Sequence, residues 1–265
     1  MLLLHLTDPH LFQDPEATLK GVDTFATLMS VLHTARAIHG HAAAMVLTGD
    51  LSQDERPGSY ARLAWALEGM PWPAYLLKGN HDDADAMWVG LTRQPADIRT
   101  DRQFFLDNWQ VLLLDSVAPG RVDGTLSAAT LDWLERALSA HPRHHALICL
   151  HHHPVPVGSP WMDALMLDNG ADLFAVTRRH PNVRAVLWGH VHQCFDGERD
   201  GVRLLSSPST GVQFAPGSDA FALDARAPGY RWLELLADGT LDTGVCRVPD
   251  GPVPVPEPGE GLVRR

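Results

Sequence analysis

The sequence predicts an α/β protein in which two mixed β-sheets pack face to face, with helices on their outer sides. The first observation behind this prediction is an alternation of short apolar runs with helical patterns, as in strand–helix–strand units. The second is a set of apolar runs separated by turn-type sequences at Asp107-Asn108 and Asp238-Gly239, which predict antiparallel hairpins. A chain of 265 residues, 45% of them hydrophobic, is long enough to bury a full core.

The predicted strands fall into two groups. Short apolar runs predict buried strands at residues 2–6, 44–47, 74–77, 146–150 and 183–187. Hairpin strands are predicted at 103–106 with 109–114 and at 230–236 with 241–248, and a further strand at 202–206 follows the turn signal Asp200-Gly201.

Helical periodicity predicts the connections between the strands. In the first helix the apolar residues recur at helical spacing, as Leu28, Val31, Leu32, Ala35 and Ile38. Thr24 is the expected N-cap of this helix. Further helices are predicted at about 58–67, 84–91, 127–138 and 169–179, with Ser127 as a second expected cap.

We expect one domain over residues 1–248, because no internal repeat or linker divides the sequence. Residues 249–265 carry five prolines and few apolar residues, so we expect a flexible C-terminal tail.

Composition excludes several classes of function. The net charge of -11 argues against a general nucleic-acid binder or a protein of anionic membrane surfaces, because little positive charge is available to neutralise phosphates. Three cysteines without a CxxC pair favour a reducing compartment, and the cytoplasm is the expected location. The start of the chain has neither a basic segment nor a long apolar run, so we expect a first strand there rather than a signal peptide.

Residues of metal-ligand type follow all five predicted buried strands. They are Asp8 and His10, Asp50, Asn80, His151 at the start of a run of three histidines, and His190 with His192. Because the carboxyl ends of strands in an open α/β sheet form the usual ligand site, we expect these side chains to meet. The sequence therefore predicts one site assembled from five strand ends.

Seven ligands exceed the needs of one ion but suit two ions that share the Asp50 carboxylate. The mixture of imidazole and oxygen donors favours iron, manganese, zinc or cobalt over calcium or magnesium. Two such ions clamp a phosphoryl group and lower the pKa of a bound water. We therefore expect hydrolysis of a phosphate ester through attack by a metal-bound hydroxide.

His81 and Asp82 adjoin the ligand Asn80 and are the predicted catalytic pair. We expect His81 to contact the phosphate and protonate the leaving oxygen, with Asp82 orienting its ring. The alternative is that His81 only positions the phosphate, while water or another imidazole is the acid. His152 is the alternative to His151 as the fourth-strand ligand.

Taken in chain order, these motifs resemble the calcineurin-like metallophosphoesterase superfamily. The motifs are Asp8-x-His10, Gly49-Asp50, Gly79-Asn80-His81-Asp82, the strand-end His151 and Gly189-His190-x-His192. Residues 151–158, 189–193, 204–214 and 227–231 further resemble the bacterial class III 3′,5′-cyclic AMP phosphodiesterases. The likeness extends from residue 4 to about residue 248.

The resemblance implies a four-layer αββα sandwich with a binuclear centre in which iron or manganese is commonly present. It implies one ion on Asp8, His10, Asp50 and His192, and the other on Asp50, Asn80, His151 and His190. It implies substrate contacts from His10, Asp50, Asn80, His81 and His192. The implied reaction opens cyclic AMP to 5′-AMP.

Two other functions remain open at this point. The first is a related phosphodiesterase for glycerophosphodiesters or 2′,3′-cyclic nucleotides, which would use the same ligands. The second is a scaffold of the same fold without catalysis, against which the intact ligand set speaks. We expect a monomer or a homodimer with a small-molecule cyclic nucleotide as its partner.

Overall fold

The strands form two six-stranded sheets and a two-stranded ribbon. A computed structural model describes residues 1–92 and 96–249. The strands in this part are β1 (Leu2–Leu6), β2 (Ala44–Thr48), β3 (Ala74–Leu77), β4 (Ile98–Arg99), β5 (Gln103–Leu106), β6 (Trp109–Leu113), β7 (His145–Leu150), β8 (Val183–Trp188), β9 (Phe195–Arg199), β10 (Val202–Ser206), β11 (Gln213–Phe214), β12 (Leu223–Asp224), β13 (Gly229–Leu235) and β14 (Leu241–Arg247).

Six helices connect the strands within the described residues. They are α1 (Thr24–His39), α2 (Pro57–Leu67), α3 (Ala84–Leu91), α4 (Ala128–Ala140), α5 (Pro160–Asp163) and α6 (Gly170–Thr177). Ser127 caps α4 as predicted, since its side chain accepts a hydrogen bond from the Thr130 N–H. The prediction that Thr24 caps α1 is wrong: Asp23 is the cap and accepts from the N–H groups of Phe25 and Ala26.

Both sheets are mixed, as predicted. The first has the order β14-β13-β1-β2-β3-β4 and the second the order β5-β6-β7-β8-β10-β9. Strands β1 to β4 run parallel, and so do β6, β7, β8 and β10, whereas β13, β14, β5 and β9 pair antiparallel. The central parallel strands of each sheet therefore end at a common edge.

The core has three apolar layers, which gives the four-layer arrangement of helices, sheet, sheet and helices. In β1, Leu4 and Leu6 belong to the layer beneath α1 and α2, whereas Leu3 belongs to the layer between the sheets. In β7, Ile148 packs towards α4 and α6 while Leu147 packs between the sheets. Successive side chains of a strand point to opposite faces, so both faces of these strands are buried. The predicted fold class is confirmed.

Sequence patterns missed the shortest elements. The two-residue strands β4, β11 and β12, the edge strand β9 and the short helix α5 were not predicted. Edge strands and single-turn elements carry few apolar residues, so periodicity does not mark them. The predicted tail lies outside the described residues, except for residue 249.

Leu187 tests the layer between the sheets. Leu187→Ala is expected to lower the free energy of unfolding by about 2–5 kcal/mol, because this fully buried side chain leaves a cavity. The matched control is Leu236→Ala, at a position 39% exposed, which is expected to change stability by about 0.5 kcal/mol. Urea unfolding followed by circular dichroism measures both variants, and equal losses would contradict the buried layer.

Candidate metal centre

Sharp backbone turns carry most of the predicted ligands. Five of them have positive φ angles: 53° at Asp8, 46° at His10, 49° at Asp50, 66° at His190 and 48° at His192. This left-handed region is unfavourable for residues with a Cβ atom, and such strain clusters at functional sites. Each turn comes directly after a buried parallel strand, at the edge where the two sheets end together.

Backbone hydrogen bonds between the turns hold them in register. The N–H of Asp8 donates to the Gly49 carbonyl at 3.1 Å, and the N–H of His10 donates to the Asp50 carbonyl at 2.9 Å. The Asp8 carboxylate accepts from the His190 N–H at 3.0 and 3.1 Å, which ties the first sheet to the second. The ligand-bearing turns of both sheets are therefore one connected unit.

The first group of donors contains Asp8, His10, Asp50 and His192. The Nε2 atoms of His10 and His192 lie 3.1 Å apart. His192 Nε2 is 3.5 Å from Asp8 Oδ1, and His10 Nε2 is 3.5 Å from Asp50 Oδ2. These four side chains are buried, with exposed fractions of 4% or less.

The second group contains Asp50, Asn80, His151 and His190. His151 Nε2 lies 3.1 Å from Asn80 Oδ1 and 3.4 Å from Asp50 Oδ1. The rings of His151 and His190 are in edge contact with centroids 5.0 Å apart. Asp50 thus directs one carboxylate oxygen towards each group.

The two neighbours of His151 have different surroundings. Both ring nitrogens of His152 are engaged, Nδ1 with Ser116 Oγ at 2.8 Å and Nε2 with the Val122 carbonyl at 3.1 Å. The buried ring of His153 stacks against His190 with centroids 5.7 Å apart. A ring nitrogen of His152 lies within 4.8 Å of those of His151 and His190, but its two hydrogen-bond contacts favour His151 as the fourth-strand donor.

The orientation of the histidine rings leaves one nitrogen facing the centre. His151 Nδ1 lies 2.7 Å from the Thr48 carbonyl and His192 Nδ1 lies 2.7 Å from the Val212 carbonyl, so each Nδ1 carries the donated hydrogen. Nε2 then has its lone pair directed into the site, which is the usual arrangement of a metal-binding histidine. His190 Nε2 is buried and has no hydrogen-bond partner within the described part of the chain.

The electrostatics of these groups fit metal ions. Burial lowers the pKa of His10 to about 3 and that of His190 well below its usual value, so both rings are neutral at pH 7 and able to bind a cation. Burial also disfavours the charged form of His151, but Asp50 outweighs it and raises the pKa of His151 to about 9. Asp50 therefore favours a positive charge at His151, where a metal ion would take the place of the proton on Nε2, and the residues present fit two divalent ions.

His81 lies at the side of this centre, beside His10. Their ring centroids are 5.1 Å apart in edge contact, and the His81 N–H donates to Asp50 Oδ1 at 2.9 Å. The ring is partly exposed, and its Nδ1 lies 3.5 Å from Gln53 Nε2. His81 is therefore open to a ligand at the centre.

Asp82 is placed differently from its predicted role of orienting His81. Its carboxylate accepts from the backbone N–H groups of Leu51, Ser52 and Gly79 and from the Tyr60 hydroxyl, at 2.8 to 3.1 Å. The carboxylate turns towards the backbone because three N–H groups of the turns after β2 and β3 surround it and use it as their hydrogen-bond acceptor. Asp82 thus fixes the spacing of the turns that carry Asp50 and Asn80, which corrects the prediction.

Sequence reasoning missed the polar groups beneath the centre. Buried His5 contacts Ser207 Oγ and lies 2.7 Å from Thr48 Oγ1, which donates to Thr7 Oγ1 at 2.8 Å. A Cβ atom on Gly189 would lie 2.1 Å from Thr7 Oγ1, so glycine is required for this approach of the two sheets. The signal available was a histidine within the apolar strand β1 and two threonines, Thr7 just after β1 and Thr48 at the end of β2.

The fold and the donor groups together define a metal-dependent phosphoesterase. A family model described as calcineurin-like phosphoesterase matches residues 1–194, and the chain belongs to this family. The membership predicted from the motifs is confirmed.

Two curated relatives are similar over nearly the whole chain. The chain is 43% identical over 256 residues to the 3′,5′-cyclic adenosine monophosphate phosphodiesterase CpdA of Pseudomonas aeruginosa, covering 94% of this chain and 91% of that protein. It is 40% identical over 247 residues to a 3′,5′-cyclic-nucleotide phosphodiesterase of Nostoc sp., covering 93% and 92%. The predicted resemblance to bacterial cyclic AMP phosphodiesterases is confirmed.

Solved structures agree on the fold. A dimetal phosphatase from Danio rerio superposes with a TM-score of 0.62 at 15% identity, covering 94% of this chain and 99% of that one. At this identity the likeness concerns the fold alone.

None of the helices within residues 1–92 and 96–249 combines the length and apolar character that crossing a membrane requires.

His190 tests whether the second group of donors binds an ion. His190→Ala is expected to weaken one of two Mn²⁺ binding events more than tenfold, because only the second group loses a donor. Calorimetric titration of metal-free protein with Mn²⁺ measures this, and His33→Ala, at an exposed position on α1, is the matched control. Identical isotherms for the two variants would contradict the assignment.

Proposed function

We propose that this protein is a binuclear-metal phosphodiesterase that hydrolyses 3′,5′-cyclic AMP to 5′-AMP. The observation that carries the metal part of the proposal is the position of Asp50, which directs one oxygen to each of two donor groups. The substrate part is supported by the relatives, which are named for cyclic AMP or cyclic nucleotides and align over more than nine-tenths of the chain.

The proposed ligands divide as the donor groups do. Asp8, His10, Asp50 and His192 hold one ion, and Asp50, Asn80, His151 and His190 hold the other. Two such ions supply an activated water for attack at phosphorus and offset the negative charge of the phosphate. The imidazole and oxygen donors favour iron, manganese or a mixed pair, with zinc and cobalt as the next choices.

The proposed substrate contacts combine two residues at the open side of the centre with three buried donors behind them. His10, Asp50, Asn80, His81 and His192 are the proposed contacts with the nucleotide. The cyclic ester is a small anion, and the partly exposed side chains of Asn80 and His81 face the side from which it enters. Most other donors lie beneath them and are buried.

His81 is the proposed general acid. Hydrolysis adds the water oxygen to phosphorus and breaks the bond from phosphorus to the 3′ oxygen, which must gain a proton. The imidazolium of His81 donates that proton from its place beside His10, and the Asp50 carboxylate holds its backbone through the 2.9 Å hydrogen bond. Asp82 does not contact the substrate in this proposal; it holds the turns that carry Asp50 and Asn80 in place through its hydrogen bonds to their backbone.

The setting proposed for this reaction is the cytoplasm, where the substrate is a free small molecule. The net negative charge of the chain argues against nucleic acid or an anionic membrane as a partner. A monomer and a homodimer both suit a site that is complete within one chain.

The acid role of His81 gives a leaving-group test. His81→Ala is expected to lower kcat for cyclic AMP by about 100- to 10,000-fold. The loss for bis(4-nitrophenyl) phosphate is expected to be far smaller, because 4-nitrophenolate leaves without a proton. Steady-state kinetics on metal-loaded protein measure both, and unchanged metal content shows that the centre is intact. Equal losses on the two esters would contradict the acid role.

A further inference from the structure

Three aromatic side chains form a wall beside the metal centre. Trp161, Phe214 and Phe221 contact one another edge to face, with centroids 5.3 to 5.4 Å apart and interplanar angles of 70° to 82°. All three are partly exposed, unlike most aromatic residues of the two sheets. We call these three residues the aromatic wall.

The aromatic wall joins the centre through Phe214 and His192. The two rings are stacked with centroids 4.0 Å apart and an angle of 5° between their planes. His192 in turn lies against His10, with centroids 5.0 Å apart. The wall therefore begins with a ring stacked directly on His192, a proposed metal ligand, whereas His81 adjoins the centre at His10.

Hydrogen bonds fix the backbone of the wall. The β11–β12 ribbon pairs Phe214 with Leu223, two residues after Phe221. Buried Ser159, next to α5 and Trp161, accepts from the Gly217 N–H at 2.9 Å and from Gln193 Nε2 at 3.3 Å. The segments that carry the three rings are thus tied to one another and to the turn that follows His192.

Phe221, like Trp161, lies one ring contact beyond Phe214. Its ring contacts are with Trp161 and Phe214, and the ammonium of Lys20 lies over it, 5.9 Å from its centroid. Lys20 belongs to the segment between β1 and α1, which also carries Asp8 and His10. A partly exposed aromatic ring close to the metal centre offers a flat apolar surface to the planar part of a ligand.

We propose that Phe221 is the surface on which the base of the substrate stacks, while the phosphate lies at the metal centre. This inference rests on the proposed function and adds the group that distinguishes a nucleotide from other phosphodiesters. Stacking on an aromatic side chain accepts any of the bases, because every base has a flat face. The site therefore prefers phosphodiesters that carry a base, with modest discrimination between adenine and guanine.

The test compares a substrate that has a base with one that lacks it. Cyclic AMP and the 3,5-cyclic phosphate of 1-deoxyribose are given to metal-loaded wild-type protein, Phe221→Leu and Phe221→Trp. Phe105→Leu, at a position 40% exposed on the edge strand β5, is the matched control. Calorimetric binding of 5′-AMP and ribose 5-phosphate gives a readout that is independent of turnover.

Phe221→Leu is expected to raise KM for cyclic AMP and Kd for 5′-AMP by about 5- to 100-fold. Values for the two compounds without a base are expected to change less than twofold, and Phe221→Trp is expected to restore wild-type values. Equal changes with and without a base, or no change at all, would overturn the stacking role while wild-type turnover of cyclic AMP still upheld the proposed function. Wild-type protein that fails to hydrolyse cyclic AMP would instead overturn the proposed function, and this inference with it.

Discussion

The left-handed turns after β1, β2 and β8 are the constraint on which the rest of the site depends. Residues with a Cβ atom adopt this conformation at a cost of about 1–2 kcal/mol each, so the surrounding structure must impose it. Here the imposing contacts are the hydrogen bonds between neighbouring turns and the support of both sheets beneath them. The turns bring the side chains of Asp8, Asp50 and His190 inward from strands of two different sheets.

This arrangement concentrates negative charge at a buried site, and among the described residues no lysine or arginine forms an ion pair with it. Asp8 and Asp50 are buried, and within residues 1–92 and 96–249 their ion-pair partners are imidazoles rather than lysine or arginine. Buried carboxylates need a compensating charge, and two neutral rings at the same place offer lone pairs instead. Divalent cations meet both needs, which explains why the donors are grouped in this way and why the family is one of metal-dependent enzymes.

The sequence predicted the strands and the meeting of the donors at one edge because both depend on local pattern, whereas their division between two ions was implied by the family resemblance. An apolar run that ends in Gly-Asp or Gly-Asn-His marks a strand and its functional end together, and parallel strands bring such ends to one edge. The contacts of Asp82 were not predictable in this way. A carboxylate next to an imidazole in sequence suggests a pair, but the unpaired N–H groups around Asp82 exist only once β2 and β3 are adjacent.

The remaining errors have the same physical origin. Asp23 and Thr24 are both acceptable caps, and only the path of the preceding loop decides between them. Phe221 has no motif around it, and its aromatic contacts come from residues 7 and 60 positions earlier in the chain. Tertiary proximity of this kind leaves no periodic signal in one sequence.

The most direct measurement is a panel of phosphodiesters on the metal-loaded protein, with Asn80→Ala as the control. The panel contains 3′,5′-cyclic AMP, 3′,5′-cyclic GMP, 2′,3′-cyclic AMP, a glycerophosphodiester and an aryl phosphodiester. We expect kcat/KM to be highest for 3′,5′-cyclic AMP and to be abolished in Asn80→Ala. A higher value for the glycerol or aryl ester would contradict the assigned substrate, and full activity in Asn80→Ala would contradict the assigned centre.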